Sequence, residues 1–149
     1  MISSEQVKKL RSETDFSVME CKKALEEVDG DTEKAKKLLE QKGAEKAAKK
    51  AEREVLQGRV EAYIHSDSKS GVLLQLFCES DFVAKNEQFK ELAHDIAMHI
   101  AAMEPKDKEE LLSQAFIKNE KQTIEDLINE MIGKLGENIK VGEFVKLKI

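Results

Sequence analysis

Apolar positions along the first 43 residues recur three and four apart, and they divide into three short helical segments. Ser3 or Ser4 opens the first, with Val7 and Leu10 on its apolar side. Ser17-Val18-Met19-Glu20 is a capping box, in which the Ser17 hydroxyl and the Glu20 carboxylate satisfy backbone N–H groups that the first helical turn leaves unpaired. Phe16 before that cap and Cys21 four positions into the helix can close a hydrophobic staple. Asp31, after Asp29-Gly30, caps the third segment, and Gly43 suits its C-terminal stop. The stripes Val18/Cys21/Leu25/Val28 and Ala35/Leu38/Leu39 are expected to face each other. So small a bundle is marginal alone.

From Ala44 to about Glu54 the chain is rich in lysine and alanine, and its only apolar stripe is alanine, which predicts a helical linker. The period then changes to two. Val60, Ala62 and Ile64 alternate with Arg59, Glu61, Tyr63 and His65, which marks a half-buried strand. Asp67-Ser68-Lys69-Ser70-Gly71 supplies a turn, and the nearly continuous apolar run Val72–Cys78 predicts a more deeply buried partner strand. Asn86 caps a long helix with the stripe Phe89, Leu92, Ala93, Ile96, Ile100 and Met103, ended by the single proline, Pro105. A short helix around Asp107–Gln114 and an irregular segment, Ala115–Lys121, lead to a helix from Thr123 carrying Ile124, Leu127, Ile128, Met131, Ile132 and Leu135. Phe144–Ile149 alternates and should complete a three-stranded antiparallel sheet with helices on one face. The expected class is α+β: a three-helix module over 1–43, a helical linker over 44–54, and an α+β core over 55–149.

Composition narrows what such a chain does. Net charge is −5 with both signs interleaved, which argues against general nucleic-acid binding, since phosphate contacts need concentrated cations. The local exception runs from Lys42 to Arg53, where five basic residues meet only Glu45 and Glu52; a solvated helix face is the simpler reading. No apolar stretch has the length of a membrane helix, and the N-terminus lacks a signal-peptide layout. Cys21 and Cys78 lie far apart without metal-ligand spacing, as expected of free thiols in a reducing compartment; the chain reads as cytosolic.

Little in the sequence points to catalysis. His94 and His99 are five apart, on different sides of a helix, and no glycine-rich phosphate loop or nucleophile elbow is present. Carboxylates sit among lysines on polar faces. Cys78 paired with a histidine is the one drawable nucleophile, and nothing fixes its geometry. No cofactor or metal is implied.

Two features stand apart. Met19 falls with Lys22, Lys23 and Glu26 on the polar side of the second helix, with Arg11 placed to frame it. It is either an ordinary exposed methionine or an adaptable contact. Ser80-Asp81-Phe82-Val83 lies between a buried strand and a long helix; Phe82 either plugs the core there or is displayed beside Asp81 to a partner.

Several blocks, in order, carry a family resemblance. Thr14–Leu25, Gly30–Ala35, Cys78–Asn86, Asp95–Ala102 and Lys134–Ile139 resemble successive signatures of elongation factor Ts. The resemblance implies a ubiquitin-associated-like three-helix module followed by an α/β core. It also implies a non-enzymatic exchange factor that binds elongation factor Tu and promotes GDP release. By position, Arg11, Val18 and Met19 become docking residues, and Ser80, Asp81, Phe82 and Val83 become a wedge that disturbs the partner's Mg²⁺ and phosphate site. His65, Ile117 and Lys118 match positions that can face the partner's distal domain.

The chain also departs from that pattern. Asp15-Phe16-Ser17 replaces a glycine–alanine–glycine turn, Ser80 replaces a threonine, and Lys118-Asn119-Glu120 is less apolar than is usual in the family. One core half is present where long members carry two, and a coiled-coil excursion is absent. Short members can pair as homodimers, which an exposed sheet edge would favour. A ubiquitin-like- or nascent-chain-binding adaptor would use the first module alone and leaves the blocks beyond residue 54 unexplained.

Overall fold

The computed structural model describes residues 2–149. Three helices come first, α1 (Ser4–Thr14), α2 (Val18–Glu27) and α3 (Thr32–Lys50), followed by a hairpin of β1 (Gln57–Ile64) and β2 (Ser70–Cys78). Helices α4 (Asp81–Ala84), α5 (Glu87–Met103) and α6 (Lys108–Ser113) lead to a small hairpin, β3 (Ala115–Phe116) and β4 (Asn119–Thr123). Then α7 (Ile124–Leu135) and β5 (Ile139–Lys148) complete the chain. Caps anticipated from local sequence are in place: the side chains of Ser3, Ser17, Asp31, Asn86 and Thr123 each accept a backbone N–H from the first turn of their helix. The fold is α+β, with sheet order β1-β2-β5, antiparallel throughout, and helices on one face.

Two apolar clusters result. Val7, Leu10, Phe16, Cys21, Leu25 and Leu39 close the three-helix module. Val72, Leu74 and Leu76 on the inner face of β2 meet Phe89, Leu92, Ile96 and Ile100 of α5 and Ile128 and Ile132 of α7.

Beyond β5, which begins at Ile139 and not at Phe144, three elements differ from the sequence-based expectation. The third helix does not stop at Gly43 but runs on to Lys50, so the expected linker largely continues it. Gly43 is buried against α7, where a Cβ added to Gly133 would lie 3.0 Å from the Gly43 Cα. A mid-helix glycine costs about 1 kcal/mol of helix propensity. Here it lets two helix backbones touch, and the lysine/alanine run beyond it is a strong helix former that seats Ala47 in the main core.

Strand β1 has the predicted period, but its apolar set is the exposed one. Val60 and Ile64 are 62% and 64% exposed, while Arg59, Glu61 and Tyr63 turn toward the helical side. The register places Ala62 beside Leu73, and Leu73 beside Val145, so the outer face of the sheet is itself apolar. Alternation sets the period of a strand; which set is buried depends on what packs on each face.

The segment expected to be irregular forms the β3–β4 hairpin. Buried His99 pins it: its Nδ1 accepts the Ile117 N–H at 3.3 Å and its Nε2 pairs with Gln114 Oε1 at 2.9 Å. Burial lowers its pKa, so the imidazole stays neutral and does structural work.

Candidate functional site

Strand β2 ends at Cys78, and the chain must turn within a few residues to start α5. Ser80 makes the turn as an extended N-cap whose hydroxyl accepts the Val83 N–H at 3.2 Å. The resulting helix, α4, is a single turn, too short to stand on its own hydrogen bonds. Its support comes from elsewhere. Glu137, in the loop between α7 and β5, accepts the N–H groups of Glu79 and Ser80 at 3.1 and 2.9 Å and the Ser80 hydroxyl at 2.6 Å. In return the Glu79 carboxylate accepts the Asn138 N–H at 2.6 Å. The buried Asn138 amide donates to the carbonyls of Ala51 and Arg53, tying the turn to the end of α3.

On this base Phe82 projects outward, 84% exposed, so it does not plug the core. Val83 does. Grouped with the displayed residues on sequence grounds, it is buried with Ala84 and anchors the turn, because a one-turn helix must face inward somewhere. Asp81 is exposed beside Phe82 and pairs with Lys85 at 2.8 Å, one turn along. Burial, with the nearby Glu137 carboxylate, pushes the Cys78 thiol up to about 11, and its Sγ–H lies against the Ser80 carbonyl. That environment disfavours the thiolate, the form a thiol nucleophile needs.

The second candidate surface lies on α2. Val18, placed in the apolar stripe on periodicity, is 49% exposed, and neighbouring Met19 is 64% exposed. Ala24 is buried with Cys21 and Leu25, and the hydroxyl–carboxylate pair of Ser17 and Glu20 closes the predicted capping box. Arg11 is exposed in the last turn of α1 and enters none of the ion pairs found among the described residues. Lys46 of α3 bonds Glu20 at 2.7 Å, and the Lys134 ammonium sits 5.5 Å from the centre of the Phe16 ring, joining the module to α7.

The remaining candidates are separate. His65 is exposed at the β1–β2 turn and bonds the Tyr63 hydroxyl at 3.0 Å. Half-buried Ile117 and exposed Lys118 form the β3–β4 turn, with Lys118 paired to Asp95 at 2.9 Å. The basic run is partly neutralised by acids: Lys42 pairs with Glu27, Lys46 with Glu20 and Arg53 with Glu79. Among the described residues no group of three or more His, Cys, Asp or Glu is placed to hold a metal, and no helix is long and apolar enough to cross a membrane.

Glu79, Glu137 and Asn138 were not singled out from sequence. They fall within two of the signature blocks, Cys78–Asn86 and Lys134–Ile139, but no periodicity links positions so far apart.

A family model described as elongation factor TS matches residues 79–149, which include the turn and its clamp. The chain is 41% identical to elongation factor Ts of Thermosipho melanesiensis over 194 aligned positions, covering 100% of this chain and 99% of that protein. It is 42% identical to elongation factor Ts of Koribacter versatilis, covering 99% and 88% of the two chains. Against elongation factor Ts of Clostridium novyi the identity is 44% over all 149 residues, which span 49% of that longer protein. Identity at this level along the whole chain, with two of the blocks meeting at one clamped turn, places the protein in the elongation factor Ts family of translation elongation factors.

Proposed function

We propose that this chain is a cytoplasmic guanine-nucleotide exchange factor that binds GDP-loaded elongation factor Tu and promotes GDP release, with no chemical step of its own. The observation that carries the reading is Phe82, almost fully exposed beside Asp81 on a turn that the rest of the core holds in place. Residues 1–43, with Arg11, Val18 and Met19, act as the docking module, and residues 55–149 carry the wedge. GDP is held largely through its phosphates and their Mg²⁺. An aromatic ring and a carboxylate delivered together beside that shell disturb it and raise the nucleotide's off-rate. Asp81 is available for this because its exposed pair with Lys85 is weak enough to exchange partners. The factor acts only if it binds the nucleotide-free partner more tightly than the GDP-bound one. His65, Ile117 and Lys118 lie on turns suited to further contacts with the partner's distal domain.

The test is release of fluorescent GDP from elongation factor Tu under catalytic amounts of the wild type and of Phe82→Ala. Acceleration by the wild type that the variant largely loses supports both function and wedge. Acceleration by both transfers the mechanism to Asp81 or the docking module. Absence of acceleration by either sinks the exchange reading and brings the adaptor forward.

The outer face of the sheet supports a homodimer as well. Val60, Ile64, Leu73, Val145 and Leu147 are each 49–73% exposed on all three strands, and two such faces are self-complementary. On this reading the pairing surface is the apolar face of the sheet, beside the sheet edge that sequence suggests. Light scattering that gives a monomer at high concentration overturns this. Dissociation of a wild-type dimer by Leu147→Lys sustains it.

A further inference from the structure

We infer that Glu137 is the positioning residue of the Asp81–Phe82 turn, completing from a distance a capping box that the local sequence leaves open. The inference rests on the exchange-factor reading and deepens it. Helices α2 and α4 begin alike, Ser17-Val18-Met19-Glu20 against Ser80-Asp81-Phe82-Val83. In α2 the fourth residue is the carboxylate that closes the box: Glu20 accepts the Ser17 N–H at 3.2 Å and the Ser17 hydroxyl at 3.1 Å, while the hydroxyl accepts the Glu20 N–H. In α4 that position is Val83, committed to the core, so no local carboxylate is available. Glu137 makes the missing bonds. It accepts the Ser80 N–H at 2.9 Å and the Ser80 hydroxyl at 2.6 Å, which directs a hydroxyl lone pair onto the Val83 N–H.

The distant carboxylate does more than the local one. It also accepts the Glu79 N–H, and the Glu79 side chain answers through the Asn138 N–H, so the two segments are joined in both directions. Bonds to an ionised acceptor are stronger than neutral ones, and removing the acceptor leaves part-buried N–H groups without partners. Glu137 is half-buried and acts through Ser80, while Asp81 and Phe82 face the solvent. Docking by Val18 and Met19 draws on a different helix with its own cap. Loss of Glu137 is therefore expected to lower the limiting rate of GDP release without raising the concentration of factor needed for half-saturation.

The experiment compares the wild type, Glu137→Ala, Glu137→Gln and Phe82→Ala in fluorescent-GDP release across a range of factor concentrations. Amide hydrogen exchange is measured in parallel on each free protein. For Glu137→Ala the limiting rate should fall by about tenfold, with half-saturation within about twofold, since misplacing a reacting group by a fraction of its contact distance is costly. Exchange of the amides from Val83 to Asn86 should quicken while the β1–β2 hairpin keeps its protection. Glutamine serves in capping boxes as glutamate does. Glu137→Gln keeps one oxygen for the two backbone N–H groups but sets an NH2 where Oε2 accepts the Ser80 hydroxyl, so its limiting rate should fall between those of the wild type and Glu137→Ala. An alanine variant with the wild-type limiting rate, or with wild-type protection of the turn, overturns the inference. A wild type that fails to release GDP sinks the exchange reading instead, and the amide-exchange comparison then decides the clamp by itself.

Discussion

Met19 and Phe82 occupy equivalent places, each the second residue of a helix opened by serine, each apolar and turned to solvent, yet they are held by different means. Met19 rides on a helix of ten residues whose cap is closed by its own third residue, Glu20. Phe82 rides on a single turn whose cap is closed by Glu137, more than fifty residues away. A docking surface needs only a stable helix, which local sequence provides. The proposed wedge must hold one orientation against a partner's resistance, and a four-residue helix achieves that only when the rest of the core grips it.

The comparison can be broken at its foundations first. Phe16 is 3% exposed, closes the lead-in to α2 and lies under the Lys134 ammonium. Phe16→Ala should cost about 3–5 kcal/mol in urea denaturation, because the ring is buried in the module's core with Leu10, Cys21 and Leu25. Gly133→Ala places a methyl 3.0 Å from the Gly43 Cα, where two helix backbones meet. A loss of about 1–3 kcal/mol is expected there by the same measurement, disturbing both sites since α3 serves both.

The caps give a finer contrast. Ser17→Ala should lower global stability by about 1 kcal/mol, the usual worth of a cap on a full helix. Ser80→Ala should act mainly on amide protection between Val83 and Asn86, because α4 contributes little to the global fold. Removing the displayed side chains themselves, Met19→Ala or Phe82→Ala, should change stability by no more than about 0.5 kcal/mol, as exposed positions do. A larger loss at Phe82 would mean the ring supports the turn it stands on.

Acid provides the smallest and most local test. Burial raises the Glu20 pKa, but bonds from Lys46 and Ser17 outweigh it, so the carboxyl sits below its ordinary value of 4.5. Its stabilisation of α2 is complete above 4.5 and is lost as pH falls below that value. Amide resonances of Glu20 and Cys21 should therefore shift below that pH.

What could be foreseen follows from this division. Helix starts at Ser3, Ser17, Asp31, Asn86 and Thr123 were legible because a cap and its partners lie within four residues. The period of β1 was legible for the same reason, and so was the place of Ser80–Val83 between a buried strand and a long helix. The burial of Val83 in place of Phe82, the exposure of Val60 and Ile64, the passage of α3 through Gly43 and the pinning of β3–β4 by His99 were not. Each depends on what arrives from far along the chain.

By itself, then, the sequence determined where helices begin, where strands alternate and which blocks mark the family, since those properties belong to neighbouring residues. Only the tertiary structure decided which face of the sheet stays bare, which of two adjacent apolar residues is displayed, and which carboxylate holds it there. Those outcomes are set by packing and hydrogen bonds between segments whose separation no local pattern records.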